Sequence, residues 1–293
     1  ARPLGATLFG HFGDRIGRKQ VLVFSLLMMG LATFAIGLLP GYATLGLWAP
    51  ALLVILRVIQ GIGLGGEWGG AALIAVEHAP PGKRGLYAMF PQLGPAIGFI
   101  LANLVFLACR LWLSDDHFAS FGWRIPLLVS FVLVLIGLYV RVRLAETPMF
   151  RETQAKAELA RTPLVDVIKK QWHTLLLGAG AMIIQYALFY TATTFCLAYA
   201  THRLGVVQST MLIIVMLAVV MMALATAFSS ALCDRLGRRR VLLWACGLSV
   251  VWGLLVFPLL NTTQPFLMWL ALAGCMGLMG LGYGPMGAFL PEL

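Results

Sequence analysis

Several long stretches of this chain carry no charge. Val21–Leu39 runs for 19 residues, Leu86–Cys109 for 24, Thr174–Thr201 for 28 and Val241–Pro291 for 51. A helix needs roughly 20 apolar residues, each rising about 1.5 Å, to cross a hydrocarbon layer ~30 Å thick. Each run can therefore span a bilayer, and the longest can do so twice, dividing at the polar, proline-closed turn Asn261–Pro265. With 60% of residues hydrophobic and 11% charged, against about a quarter charged in soluble domains, a water-soluble core is excluded. The expected fold class is all-α, a polytopic membrane protein.

Nine spans are expected, at about 1–11 (partial), 20–39, 49–76, 86–109, 123–142, 173–200, 207–232, 240–260 and 266–290. The loops between them alternate in character. Segments 13–19, 80–85, 141–171 and 234–240 hold 16 of the 21 Lys and Arg residues, whereas the opposite set holds Arg110 and Arg203. Basic loops stay on the cytoplasmic side, so this count sets the orientation. It also explains the net charge of +10 without any nucleic-acid partner. The long loop 143–171 reads as a cytoplasmic linker between an N-terminal bundle, 1–142, and a C-terminal bundle, 172–293. The five cysteines form no CxxC pair and the histidines lie near span ends, so neither a disulfide framework nor a metal site is expected.

The chain repeats itself. Gly10-His-Phe-Gly-Asp-Arg-Ile-Gly-Arg-Lys19 recurs as Ser230-Ala-Leu-Cys-Asp-Arg-Leu-Gly-Arg-Arg239, at an offset of 220 residues. Gly63-Leu-Gly-Gly-Glu-Trp-Gly-Gly-Ala71 is echoed by Gly280-Leu-Gly-Tyr-Gly-Pro-Met-Gly-Ala288, at an offset of 217. Two matches in the same order argue for duplicated halves, an architecture known among secondary transporters. The paired basic turns resemble the signature of the major facilitator superfamily. More narrowly, residues 1–19, 57–71, 122–126, 146–150 and the final FLPEL resemble the metabolite:proton symporter family, and its shikimate-type branch in particular. The resemblance implies two pseudo-symmetric six-helix bundles, with helix 1 and the last two helices outside this sequence. It further implies a monomeric, multi-pass inner-membrane protein that carries a small metabolite together with protons. No cofactor is implied beyond the proton gradient as energy source. Relatives in that family carry shikimate, citrate, oxoglutarate, proline and betaine.

Candidate site residues follow from charge and polarity inside the spans, where ionisable groups are costly. Arg57 lies near mid-membrane with Gln60 on the same face. It can fork a substrate carboxylate, pair with an acidic residue on a helix outside the sequence, or form a structural ion pair. Glu67 is ten residues further on, too far round and along the helix to pair with Arg57; it can carry a proton or anchor a cytoplasmic arginine. The repeat places Gly284 opposite Glu67 and a region near Gly274 opposite Arg57, so ionisable chemistry is concentrated in the first half. Gln92, Asn103, Gln185 and Tyr190 can contact substrate or bind helix to helix. Gly94, Pro95 and Gly98 mark a kink in span 86–109. The glycines around Glu67 read as a packing face, and a dinucleotide loop is rejected because no strand precedes it. Gly10, Asp14, Arg15, Gly17, Arg18 and Lys19, with Asp234, Arg235, Gly237, Arg238 and Arg239, form the cytoplasmic loops. Gly13 and Gly17 suit a tight reversal, and Asp14 can cap a neighbouring helix or pair with arginine. These loops act as topology markers or as a gating latch, and the resemblance favours the latch.

The function expected is proton-coupled symport of a small organic acid or zwitterion by alternating access. A drug:proton antiporter on the same fold is the alternative. A nutrient sensor or membrane enzyme fits less well, because no added soluble domain and no nucleophile–base cluster is visible.

Overall fold

A computed structural model of the chain describes residues 1–143 and 171–292. The linker at 144–170, with the 146–150 string, lies outside the described residues. Among the described residues the chain is helical, with eight helices long and apolar enough to cross a membrane. They run Lys19–Leu38, Trp48–Glu77, Arg84–Trp112, Gly122–Arg143, Trp172–His202, Gln208–Leu236, Arg238–Leu260 and Pro265–Pro291, each within a few residues of its expected span.

The described residues pack as two compact units, Ala1–Glu77 with Val105–Gln171 and His78–Leu104 with Trp172–Leu293. This grouping differs from the division by sequence halves, because most of one first-half helix packs with second-half helices.

In the first unit, α1 (Arg2–Ile16) and α2 (Arg18–Leu38) lead through the short α3 (Tyr42–Leu45) to the long α4 (Trp48–Glu77). The end of α5 (Arg84–Trp112), the short α6 (Asp115–Ser120) and α7 (Ile125–Arg143) complete it. The α4 helix packs on both α1 and α2, and α2 packs on α7. Glycine makes these approaches close. A methyl at Gly65 would meet the Arg2 carbonyl and the backbone of Gly5 and Ala6; one at Gly66 would meet Phe9; one at Gly63 would meet the Ser25 carbonyl. The packing reading of this face is thereby seen directly. Small residues are the means by which membrane helices associate where no hydrophobic drive exists between them.

The second unit holds residues 84–104 of α5, then α8 (Trp172–Tyr190), a π-helical turn at Thr191–Phe195 and α9 (Cys196–His202). It continues with α10 (Gln208–Leu236), α11 (Arg238–Leu260) and α12 (Pro265–Glu292). Its core is built from Met211, Val215, Met222, Leu272, Met276 and Tyr283 among others, with Ala96 of α5 included. Leu243, Val250 and Leu254 of α11 point outward, as lipid-facing side chains do.

The two repeated turns are tighter than the sequence suggests. Only Gly17 separates α1 from α2 and only Gly237 separates α10 from α11. Gly17 adopts φ 118° and ψ 145°, Gly237 φ 87° and ψ 144°. Each donates its N–H to the carbonyl four residues back, Gly13 or Cys233. Gly13 itself is helical, as is its counterpart Cys233, which corrects the expectation that Gly13 shares the reversal. Glycine is required only where φ is positive, and that is one residue per turn.

Candidate functional site

The α4 helix carries the first group. Arg57 lies about nine residues, or ~14 Å, from the start of a 30-residue helix, and is therefore at mid-membrane depth. Its Nη1 donates to Gln60 Oε1 at 3.0 Å. Gln60 Nε2 in turn donates to Thr33 Oγ1 of α2 at 2.8 Å, and Thr33 Oγ1 donates to the Met29 carbonyl at 2.8 Å. A guanidinium has five N–H donors, and among the described residues only this one bond is made and no carboxylate faces it. Arg57 also lines a cavity of about 490 Å³ with Leu39, Tyr42, Phe106, Trp123 and Leu127 among its walls. Among the described residues lining it, Arg57 is the only charged one. Arg124, which sequence reasoning did not single out, steadies two of these walls. Its guanidinium lies 4.5 Å from the Trp123 ring centroid and its Nη2 donates to the Leu39 carbonyl at 3.1 Å. The signal was present in the string at 122–126, but the partner is a carbonyl 85 residues away.

Glu67 is paired. Arg141, in the last turn of α7, donates Nη2 to Glu67 Oε1 and Nη1 to the Leu22 carbonyl at 2.5 Å. One guanidinium thus ties α7 to α4 and α2. Beside it, Lys19 Nζ donates to the Val142 carbonyl at 2.6 Å. Of the two readings open for Glu67, this geometry matches the anchor for an arginine. The repeat positions differ as expected in charge. Gly284 lies against Ser229, Ser230 and the Thr226 carbonyl, and Gly274 is covered by the Trp252 indole, whose Nε1 donates to the Ala271 carbonyl at 3.0 Å.

The repeated Asp–Arg turn is visible in its second copy. Asp234 Oδ1 accepts the Gly85 N–H at 2.9 Å and Oδ2 accepts the Leu86 N–H at 3.0 Å. The carboxylate therefore caps the N-terminus of α5, a helix 149 residues away in sequence. Arg238 lies 3.9 Å from the same carboxylate, whereas Arg235 and Arg239 are exposed. The side chains of Asp14, Arg15 and Arg18 lie outside the described residues. Gly10 is within α1 and has open space beside it.

The polar residues of the second unit divide. Gln92 is buried and donates Nε2 to the Tyr283 carbonyl of α12 at 3.0 Å, so it binds helix to helix. Asn103 donates to the Phe99 carbonyl of its own helix at 2.8 Å. Gln185 is buried against Gly282 of α12, and its Oε1 has no hydrogen-bond partner among the described residues. Leaving such an acceptor unpaired costs about 1–3 kcal/mol. Tyr190, about half exposed, ends α8 and stands edge-on to Phe189 just before the π-helical turn. Single π-turns within helices are frequent at functional sites. The α5 helix continues through Gly94, Pro95 and Gly98, and it contains a second interior proline, Pro91. Each proline lacks an N–H, so two main-chain bonds of this helix are missing within two turns.

Among the described residues, eight apolar spans, an arginine at mid-membrane with no carboxylate against it and the Asp234 turn, which repeats in sequence, mark a polytopic membrane protein. The comparisons agree. The sequence matches the Major Facilitator Superfamily over residues 3–293. It is 47% identical over 298 residues to the inner membrane metabolite transport protein YhjE of Escherichia coli, spanning 100% of this chain and 68% of that protein. It is 41% identical over 242 residues to the E. coli shikimate transporter, with 82% of this chain and 55% of that protein covered. The solved structure of the proton:xylose symporter XylE superposes with a TM-score of 0.78 at 18% identity, covering 98% of this chain and 68% of that one, which is a likeness of fold. The chain belongs to the Major Facilitator Superfamily; it is a multi-pass inner-membrane transporter and not an enzyme.

Proposed function

We propose that the protein is a proton-coupled symporter for a small metabolite bearing a carboxylate, an organic acid or a zwitterion, working by alternating access. The observation that carries this reading is Arg57. An arginine at mid-membrane costs about 2.5–3.5 kcal/mol to place there, and this one has most of its donors uncommitted among the described residues. A guanidinium matches a carboxylate with two parallel hydrogen bonds. The cavity beside it has a volume of about 490 Å³, within the range of roughly 300–1,000 Å³ typical of small-molecule sites. Relatives named for shikimate and for proline and betaine carry substrates of this chemical kind. The proton gradient supplies the energy, the protein works as a monomer and no other cofactor takes part.

Purified protein in proteoliposomes tests this. With an imposed gradient, acid outside, labelled shikimate, 2-oxoglutarate, citrate or glycine betaine accumulates inside, and a protonophore abolishes the accumulation. Export against the same gradient would favour an antiporter instead.

A further inference from the structure

We propose that Thr33 of α2 is the positioning residue for Arg57, acting through Gln60. This inference rests on the reading of Arg57 as the carboxylate-binding group and adds the device that aims it.

The argument lies in the direction of the hydrogen bonds. Thr33 gives its single proton to the Met29 carbonyl at 2.8 Å. Its oxygen is then an acceptor only, so the Gln60 group facing it at 2.8 Å must be the amide NH₂. With that end fixed, the Gln60 carbonyl points the other way, onto Arg57 at 3.0 Å. The chain therefore has one sense, set by a main-chain carbonyl of α2 and ending on the guanidinium. An arginine has long, soft torsions, and a carboxylate fork needs it in one orientation. One donor is tethered and the rest remain for the ligand. Gln60 is thus engaged at both ends, its carbonyl by Arg57 and its amide by Thr33, which makes it a tether for Arg57. Thr33 joins α2 to α4 at this depth, so the orientation of Arg57 depends on the neighbouring helix as well as on its own.

Removing the Thr33 hydroxyl frees the Gln60 amide to turn over. A turned amide presents NH₂ to the guanidinium, donor against donor, and Arg57 leaves its aim. Thr33→Val is nearly isosteric and keeps the packing. Thr33→Ser keeps the hydroxyl and loses a methyl.

The test is proton-driven uptake in proteoliposomes with labelled shikimate, 2-oxoglutarate, citrate and glycine betaine as probes, in wild type, Thr33→Val, Thr33→Ser, Gln60→Leu and Arg57→Gln. The expected result is a KM raised roughly tenfold in Thr33→Val and Gln60→Leu, the size of one lost charge-assisted bond. Vmax should change less than about twofold, and Thr33→Ser should stay near wild type. A purely structural role for Thr33 would lower the amount of folded carrier and Vmax and leave KM alone. Wild-type KM in Thr33→Val, with Arg57→Gln inactive, overturns the positioning role and spares the reading of Arg57. Wild-type uptake in Arg57→Gln, or no uptake of any probe by the wild type, overturns that reading and this inference with it. Should Thr33→Val fail to insert, the Gln60→Leu and Thr33→Ser pair decides by the same split.

Discussion

Replacing Asp234 with asparagine tests the cap on α5 with a change of one atom. The first N–H groups of a helix have no partner within it, and at α5 two of them, Gly85 and Leu86, are held at 2.9 and 3.0 Å by the two oxygens of one carboxylate. The substituted amide would keep one acceptor and turn its NH₂ toward the other backbone N–H. The loss is one hydrogen bond to a charged group, about 1.5–3 kcal/mol, together with the interaction of the negative charge with the helix N-terminus, about 0.3–1 kcal/mol. The two contributions overlap, so about 2 kcal/mol is expected. For a chain of this size each kcal/mol moves the melting point by roughly 2–4 °C, which places Asp234→Asn about 6 °C below wild type. The assay is thermal unfolding in detergent, followed by exposure of the buried thiols, among them Cys233 in the helical turn before Gly237. Uptake by the same variant should fall while the inserted amount is unchanged. A melting point equal to that of the wild type would refute the reasoning, since two backbone donors cannot both stay satisfied by one amide oxygen in this geometry.

Three further outcomes are expected. Arg141→Met removes the cation that pairs with Glu67 among the described residues and should destabilise by about 2 kcal/mol, while Glu67→Gln added to it restores part of the loss; thermal unfolding of the four forms gives the coupling, and additive effects would count against the pair. Gly237→Val forces a branched side chain into φ 87°, ψ 144°, a region nearly exclusive to glycine, and should cost about 1–3 kcal/mol in the same assay, more than Gly10→Val, where the space is open and the backbone helical. Gly274→Val drives a side chain into the Trp252 indole; it should lower the melting point and shift tryptophan emission, and unchanged emission would contradict the packing described.

The spans were legible because a bilayer demands length and charge-free composition, both of which are local properties of sequence. Val241–Pro291 divided at Asn261–Pro265 as its polar turn required, into α11 and α12. The repeat was legible because Asp234 and Gly237 reproduce Asp14 and Gly17 at one offset. What escaped were partners that leave no mark on sequence. Asp234 binds the main chain of Gly85 and Leu86, and any residues there would offer the same N–H groups. Arg141 sits 74 residues from Glu67 and read as one more basic loop residue; only the path of α7 brings them together. Thr33 was not singled out: a threonine that bonds its own helix is ordinary in a span, and its second role depends on where α4 puts Gln60. Gly13 read as a turn residue from composition alone, although one positive-φ glycine is enough to reverse the chain.

The central claim is that Arg57 receives the carboxylate of the transported molecule. Arg57→Lys keeps the charge and its depth in the membrane but loses the planar fork, so it separates recognition from simple charge balance. Initial uptake rates of labelled shikimate and 2-oxoglutarate into proteoliposomes, across a fixed inward proton gradient, measure it. The expected result is a KM at least roughly tenfold above wild type for the carboxylates, about 1.4 kcal/mol or more, with the protein inserted normally. A KM and Vmax equal to those of the wild type would contradict the account.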